Sequence, residues 1–155
     1  MLFGAAALAL LGSTAAACGS PPPPPEVDEL AAQLDRARAD SKLATDAAVA
    51  TPPPPTAQAL TAVASERAAH AQALSDELVR IVGKDAPTTS ATSTTAQPAK
   101  APITEEVIAA LRQSADSAGQ LAAKQSGYRA GLLGSIAASC TAAYTVALVP
   151  PKAAQ

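Results

Sequence analysis

Aromatic side chains are nearly missing from this chain, which has no tryptophan, one phenylalanine and two tyrosines in 155 residues. Phe3 falls within an N-terminal apolar run, so Tyr128 and Tyr144 supply the rings of the remainder. A β-sandwich or barrel, which draws on aromatic and β-branched residues, is disfavoured on that ground. Histidine occurs once, at His70, and cysteine twice, at Cys18 and Cys140. There is accordingly no CxxC pair and no CxxCH haem attachment, and no glycine-rich phosphate loop is present either. Positive charge is not in excess: 11 Lys and Arg against 13 Asp and Glu leave a net charge of −2. A nucleic-acid partner, which wants a basic stripe, is not expected.

What is abundant is alanine, the residue of highest helix propensity. The expected fold class is therefore all-α. Small alanine faces let helices approach closely but bury modest area per residue, so ordinary stability is expected. The length suits one domain plus linkers.

The N-terminus carries the clearest motif. An apolar stretch from Met1 to Leu11 leads into Ser13-Thr14-Ala15-Ala16-Ala17-Cys18-Gly19, and five prolines follow, Pro21 to Pro25. An apolar segment, small residues and then a cysteine form the pattern of a bacterial lipoprotein signal. Residues 1–17 are expected to be removed, and Cys18 to carry the lipid. Residues 18–25 form a stiff proline spacer at about 3 Å per residue. A diacylglyceryl group with an N-acyl chain anchors stably, where a single chain does so only marginally. The expected location is the extracytoplasmic face of the cell membrane. No Lys or Arg precedes Arg36, although a signal peptide opens with positive charge. Translation is therefore expected to start upstream of Met1. An ordinary secretory signal cut near Ala17 is the plainer alternative. If Cys18 is lipidated, Cys140 has no partner and reads as a small buried hydrophobe; a Cys18–Cys140 disulfide is the competing reading.

Residues 26–150 are expected to form a four-helix bundle, with helices at about 26–50, 56–83, 103–126 and 128–149, and 151–155 as a tail. Val27, Leu30, Leu34, Ala37, Ala44 and Ala48 mark the first apolar stripe. Leu60, Val63, Arg67, His70 or Ala71, Leu74, Leu78 and Ile81 mark the second, with Thr56 as N-cap and Gly83 as stop. A proline turn makes these two an antiparallel hairpin. Thr104-Glu105-Glu106-Val107 signals the third start. Its stripe is Val107, Ile108, Leu111, Ala115, Ala118, Leu121 and Ala122. Leu132, Leu133, Ile136, Cys140, Ala143 and Ala147 form the fourth. Ala130 to Val149 contains no charge and is long enough to span a bilayer. Its glycines, serines and threonines favour instead a central helix buried in the bundle.

Residues 85–102, rich in Thr, Ser and Pro, form a linker that cannot build a core; its threonines are candidates for O-glycosylation. Roughly eighteen residues reach about 55 Å when extended. A 25-residue helix is about 38 Å long. The linker can therefore return along the whole bundle, giving a ferritin-like layout with a long crossover between helices 2 and 3. An up-down-up-down bundle with a loose middle loop is the simpler topology.

The segment Leu60-Thr61-Ala62-Val63-Ala64-Ser65-Glu66-Arg67-Ala68-Ala69-His70-Ala71-Gln72-Ala73-Leu74 resembles the second helix of ferritin-like domains in actinobacterial envelope proteins. The glutamate, histidine and leucine carry the resemblance, and the Ala- and Pro-rich composition suits the same source. Actinobacterial respiratory complexes carry lipoprotein accessory subunits, so the resemblance implies an envelope or respiratory-complex protein as partner. The di-metal ligand set of such bundles, a Glu from each of two helices and Glu-x-x-His from each of the others, is not matched. Glu66 and His70 are four apart, His70 is the sole histidine, and the fourth helix has no Asp, Glu or His. Glu66 and His70 stay as weak metal candidates, or His70 as an acid sensor; no cofactor and no catalytic residue is expected. A Cys140–His70 pair lacks an orienting third group. Arg67, on the apolar seam, needs an acidic partner, for which Asp35, Asp116 or Glu66 is available.

The function expected is that of a non-enzymatic interaction or accessory lipoprotein. A small-ligand- or metal-binding ferritin-like bundle is the alternative, and an enzyme using Glu66 and His70 the least supported.

Overall fold

The computed structural model describes residues 25–52, 54–83, 86 and 100–149. The expected signal peptide, Cys18, the prolines up to Pro24, nearly all of the Thr-rich linker and the 151–155 tail lie outside the described residues. Among those described the fold is all-α. Four helices occur in order: α1 (Pro25–Ala50), α2 (Pro54–Val82), α3 (Thr104–Ala122) and α4 (Gly127–Ala142), the last continuing into a π-helical turn, Ala143–Ala147.

The helix ends follow local chemistry. Both α1 and α2 open on proline, whose fixed φ suits a first turn and whose missing N–H costs nothing there. Thr56 therefore lies inside the first turn of α2, and is not its N-cap. Glu26 and Asp28 place negative charge at the start of α1, and Arg80 puts positive charge in the last turn of α2, each favourable to the helix dipole. Gly83 stops α2 with φ +65°, a left-handed conformation that glycine adopts at little cost. Ile103 precedes α3, and its N–H donates to the Glu106 carboxylate at 3.0 Å, half of a capping box. The third helix ends at Ala122, before the expected Ser126. There Lys124 N–H turns back to Leu121 O at 3.0 Å and Gln125 N–H to Ala122 O at 3.1 Å. Gly127, at φ +56°, then lets the chain start α4.

Helix α1 packs along α2, α3 along α4, and α1 along α3, whereas α2 and α4 approach each other only sparsely. Leucine supplies most of the bulk of the shared core: Leu30 and Leu34 on α1, Leu60, Leu74 and Leu78 on α2, Leu111 on α3 and Leu133 on α4, with Ile136. Each fully buried aliphatic side chain contributes about 1.5–3 kcal/mol. Alanines fill the remaining contact, Ala37, Ala44 and Ala47 on α1 and Ala118 on α3 being fully enclosed. Polar ties cross between helices as well. Gln33 Nε2 donates to Ser117 Oγ at 2.6 Å, Ser41 Oγ to Ala64 O at 2.8 Å, and Glu29 and Glu26 face Lys124 and Arg129 at 3.6 and 3.8 Å.

The expectation of a fourth helix buried all round is not met. Leu133, Ile136, Cys140 and Ala143 face the core, but in its most apolar 18-residue stretch only 22 % of residues are buried. The helix from Gly127 to Ala147 is long and apolar enough to cross a membrane. Its outward face carries Gly131, Ser135, Ala138, Thr141 and Thr145. The Ser135, Thr141 and Thr145 hydroxyls donate to carbonyls of their own helix, which spends their polarity internally.

Candidate functional site: a buried ionic layer and an open groove

Midway along the bundle, polar groups from three helices meet in the core. Asp40 on α1 and Arg67 on α2 have side chains only 6 % and 3 % exposed. Asp40 Oδ2 accepts from Arg67 Nε at 3.1 Å, from Arg67 Nη2 at 3.0 Å and from Ser114 Oγ of α3 at 2.5 Å. The charge of the guanidinium is thus met by a carboxylate that is itself hydrogen-bonded, as burial of an ion pair requires. Arg67 Nη1 donates to His70 Nδ1 at 3.2 Å.

Arg67 is buried as its place on the seam implies, but its partner is Asp40, not Asp35, Asp116 or Glu66. Asp35 is exposed and faces Arg38 across 3.9 Å on the surface of α1, while Asp116 and Glu66 are exposed. The signal was in the sequence. The α1 stripe runs Val27, Leu30, Leu34, Ala37 and then Ala44, leaving one turn unfilled; Asp40 fills it.

His70 is half-buried, and burial pushes its pKa below the usual histidine value, with Arg67 adding to the effect and Glu66 opposing it. The neutral ring suits the hydrogen bond, because the Nδ1 lone pair must be free to accept from Arg67. Glu66, one turn earlier, points out to solvent. No cluster of three or more His, Cys, Asp or Glu able to hold a metal ion occurs among the described residues. Cys140 on α4 is buried with a free thiol. Burial raises its pKa, while Arg67 acts in the other direction and Asp40 and Glu66 reinforce the rise. No hydrogen bond joins Cys140 to His70 among the described residues, so the arrangement lacks an activated thiolate.

Two further features were not read from the sequence. Glu77 on α2 has a side chain with no exposed surface, and Arg80 grips it with Nε at 2.7 Å and Nη2 at 2.6 Å. The bidentate pair is local, three residues apart, and holds the end of α2. The second feature follows from the sparse approach of α2 to α4. An open groove of about 270 Å³ lies between them, walled by Ala62, Val63 and Glu66 on one side and Ala142, Ala143 and Val146 on the other. The π-helical turn forms part of that wall, and Val146 stands 74 % exposed in it.

Compared with family models, curated proteins and solved structures, the chain matches none of them. The reading of its function therefore rests on the residues and their geometry.

Proposed function

We propose that this chain is a membrane-anchored, extracytoplasmic lipoprotein whose helical domain is a non-enzymatic interaction or accessory module. The observation that carries the non-enzymatic part is the Asp40 carboxylate, which is taken up by Arg67 and Ser114. A core carboxylate that accepts three donors on one oxygen is committed to structure. The His70 Nδ1 that faces the guanidinium is taken up as well.

The layout we assign is ferritin-like, with antiparallel neighbours and a crossover between α2 and α3. The register of the cross-helix contacts supports it. Asp40 with Arg67, and Ser41 with Ala64, lie at matching sequence distances on either side of the α1–α2 link. Moving up α1 through Glu29, Gln33 and Asp40, the partners descend from Lys124, just past the end of α3, through Ser117 and Ser114 on it. Glu26 and Arg129 bring the starts of α1 and α4 together. Thr51 and Pro52 share a pocket with Pro102, Ile103 and Thr104, at the end of α2 opposite Val82.

The anchor is argued from Ser13 to Gly19 and the prolines that follow. Metabolic labelling with a lipid analogue tests it: label should enter the wild type and vanish in Cys18→Ala. Label retained by Cys18→Ala, or absent from the wild type, would sink the anchor. A gentle detergent pull-down of the lipidated chain tests the accessory role. We expect it to return an envelope protein, such as a component of a respiratory membrane complex; return of the chain alone counts against that role.

A further inference from the structure

From the groove between α2 and α4 we infer a docking site for a partner α-helix that presents small aliphatic residues together with one lysine or arginine, the cation being received by Glu66. The inference rests on the reading of the domain as an interaction module.

Three observations lead to this occupant. The first is charge. Glu66 is the one charged residue lining the groove, it is exposed, and its side chain makes no hydrogen bond or ion pair among the described residues. An uncharged occupant would cover that carboxylate and strip its water without replacement, which is costly. An occupant that brings a cation removes the penalty. The second is the character of the walls. Ala62 and Ala142 are exposed and small enough to let another backbone approach, and exposed Val146 offers apolar contact above a floor of buried Val63 and Ala143. Groove-binding helices use spaced apolar anchors of this kind. The stretch of α2 that lines the slot, residues 59 to 66, measures about 10 Å, the length of two helical turns. The third is size. About 270 Å³ open along one side falls just below the roughly 300–1,000 Å³ of pockets that enclose small molecules. Side chains entering from a partner suit the slot better than an enclosed ligand.

The test uses the purified full chain and a designed helical probe, a lactam-bridged alanine-rich peptide with leucine at two positions four apart and lysine one turn further on. Versions with glutamine and glutamate at the lysine position serve as comparisons. Affinity is read by fluorescence anisotropy and the site by amide chemical shifts. We expect shifts centred on Ala62, Glu66, Ala142 and Val146. Replacing the probe's lysine by glutamine, or Glu66→Gln in the protein, should weaken binding by about fivefold, the upper range for an ion pair still open to water. Ala142→Arg, at an exposed position that leaves the core untouched, should abolish binding with an unchanged circular dichroism spectrum. Equal affinity for lysine and glutamate probes, shifts elsewhere on the bundle, or no binding would overturn the inference. So would sedimentation of the free chain as a dimer that Ala142→Arg dissociates, because the occupant would then be a second copy. The two readings fail separately. If partners recovered by detergent pull-down stay bound to Ala142→Arg, the groove is not the docking site and the accessory role stands. If the probe binds as expected while the pull-down returns the chain alone, the groove stands and the accessory role falls.

Discussion

Arg67 and Asp40 form a buried ion pair in which both Nε and Nη2 of the arginine address a single carboxylate oxygen, at 3.1 and 3.0 Å. Two charges removed from water gain from each other only while both are present. Asp40→Ala or Arg67→Ala alone strands the other charge in the core, and each should cost about 3–5 kcal/mol. Ser114→Ala removes a hydrogen bond to an ionised group and should cost about 1.5–3 kcal/mol. The paired replacement Asp40→Leu with Arg67→Met exchanges the ions for apolar volume and should cost far less than the sum of the two single changes. Urea unfolding of the wild type, Asp40→Leu, Arg67→Met and the double variant gives the cycle. Additive losses would mean that the two side chains do not act as a unit.

The same pair marks how far the sequence could be read. The leucines recur at spacings of three and four, so the all-α class and most of the buried aliphatic positions follow from periodicity alone. Arg67 could be placed on the seam for the same reason. Its partner could not be picked from hydropathy, because Asp40 scores like any exposed acid and only the missing apolar residue between Ala37 and Ala44 betrays it. Ser114 is hidden in the same way, since its burial depends on how α3 is rotated against α1. Glu77 has no sequence signature beyond an arginine three residues on, a pattern equally common on exposed helix faces. The open groove lies furthest from the sequence, because it arises from how two non-adjacent helices diverge.

Glu77 and Arg80 set up an asymmetry that can be measured. The arginine side chain is 64 % exposed while the glutamate is fully covered, so the exposed residue protects the buried one. Arg80→Ala leaves the Glu77 carboxylate with neither donor and should lower the melting temperature, more than is usual for an exposed position. Glu77→Gln in that background removes the stranded charge and should recover part of the loss. Thermal melts of the wild type, Arg80→Ala and the double variant provide the comparison. An Arg80→Ala variant that melts together with the wild type would show the pair to be dispensable.

His70 gives the fold a pH dependence of known sign. Burial, and then Arg67, hold its pKa below the usual histidine value, while Glu66 acts the other way. Of the groups around this layer, Asp40 reaches in from α1, Cys140 lies buried on α4, and Ser114 of α3 does not titrate. The unfolded chain takes up a proton near pH 6.5 and the folded chain only below that. The stabilisation is thus complete above about pH 6.5 and is lost as pH falls through the lower folded value. His70→Gln cannot be protonated and should flatten this dependence. Melting temperatures compared between pH 7.5 and pH 5.5 should drop further in the wild type than in His70→Gln. Equal drops would assign the pH dependence to the carboxylates instead.

Cys140 reports on both folding and the anchor. Its side chain is buried and its pKa is raised, first by burial, so little thiolate forms and little reagent reaches it. In native buffer at pH 8 a chromogenic disulfide should modify it orders of magnitude more slowly than in urea. Asp40→Ala, by destabilising the layer beside it, should speed the native reaction, the logarithm of the rate rising linearly with the free energy lost when the thiol is reached through unfolding. The stoichiometry after complete unfolding carries separate information. A thioether to diacylglycerol blocks the sulfur of Cys18, so lipidated protein should yield one thiol per chain. A chain whose Cys18 is intact and unlipidated would yield two, and one with Cys18 bridged to Cys140 would yield none. One thiol in wild type, still one in Cys18→Ala and none in Cys140→Ala is the outcome that fits a lipid-bearing Cys18 beside a free, buried Cys140.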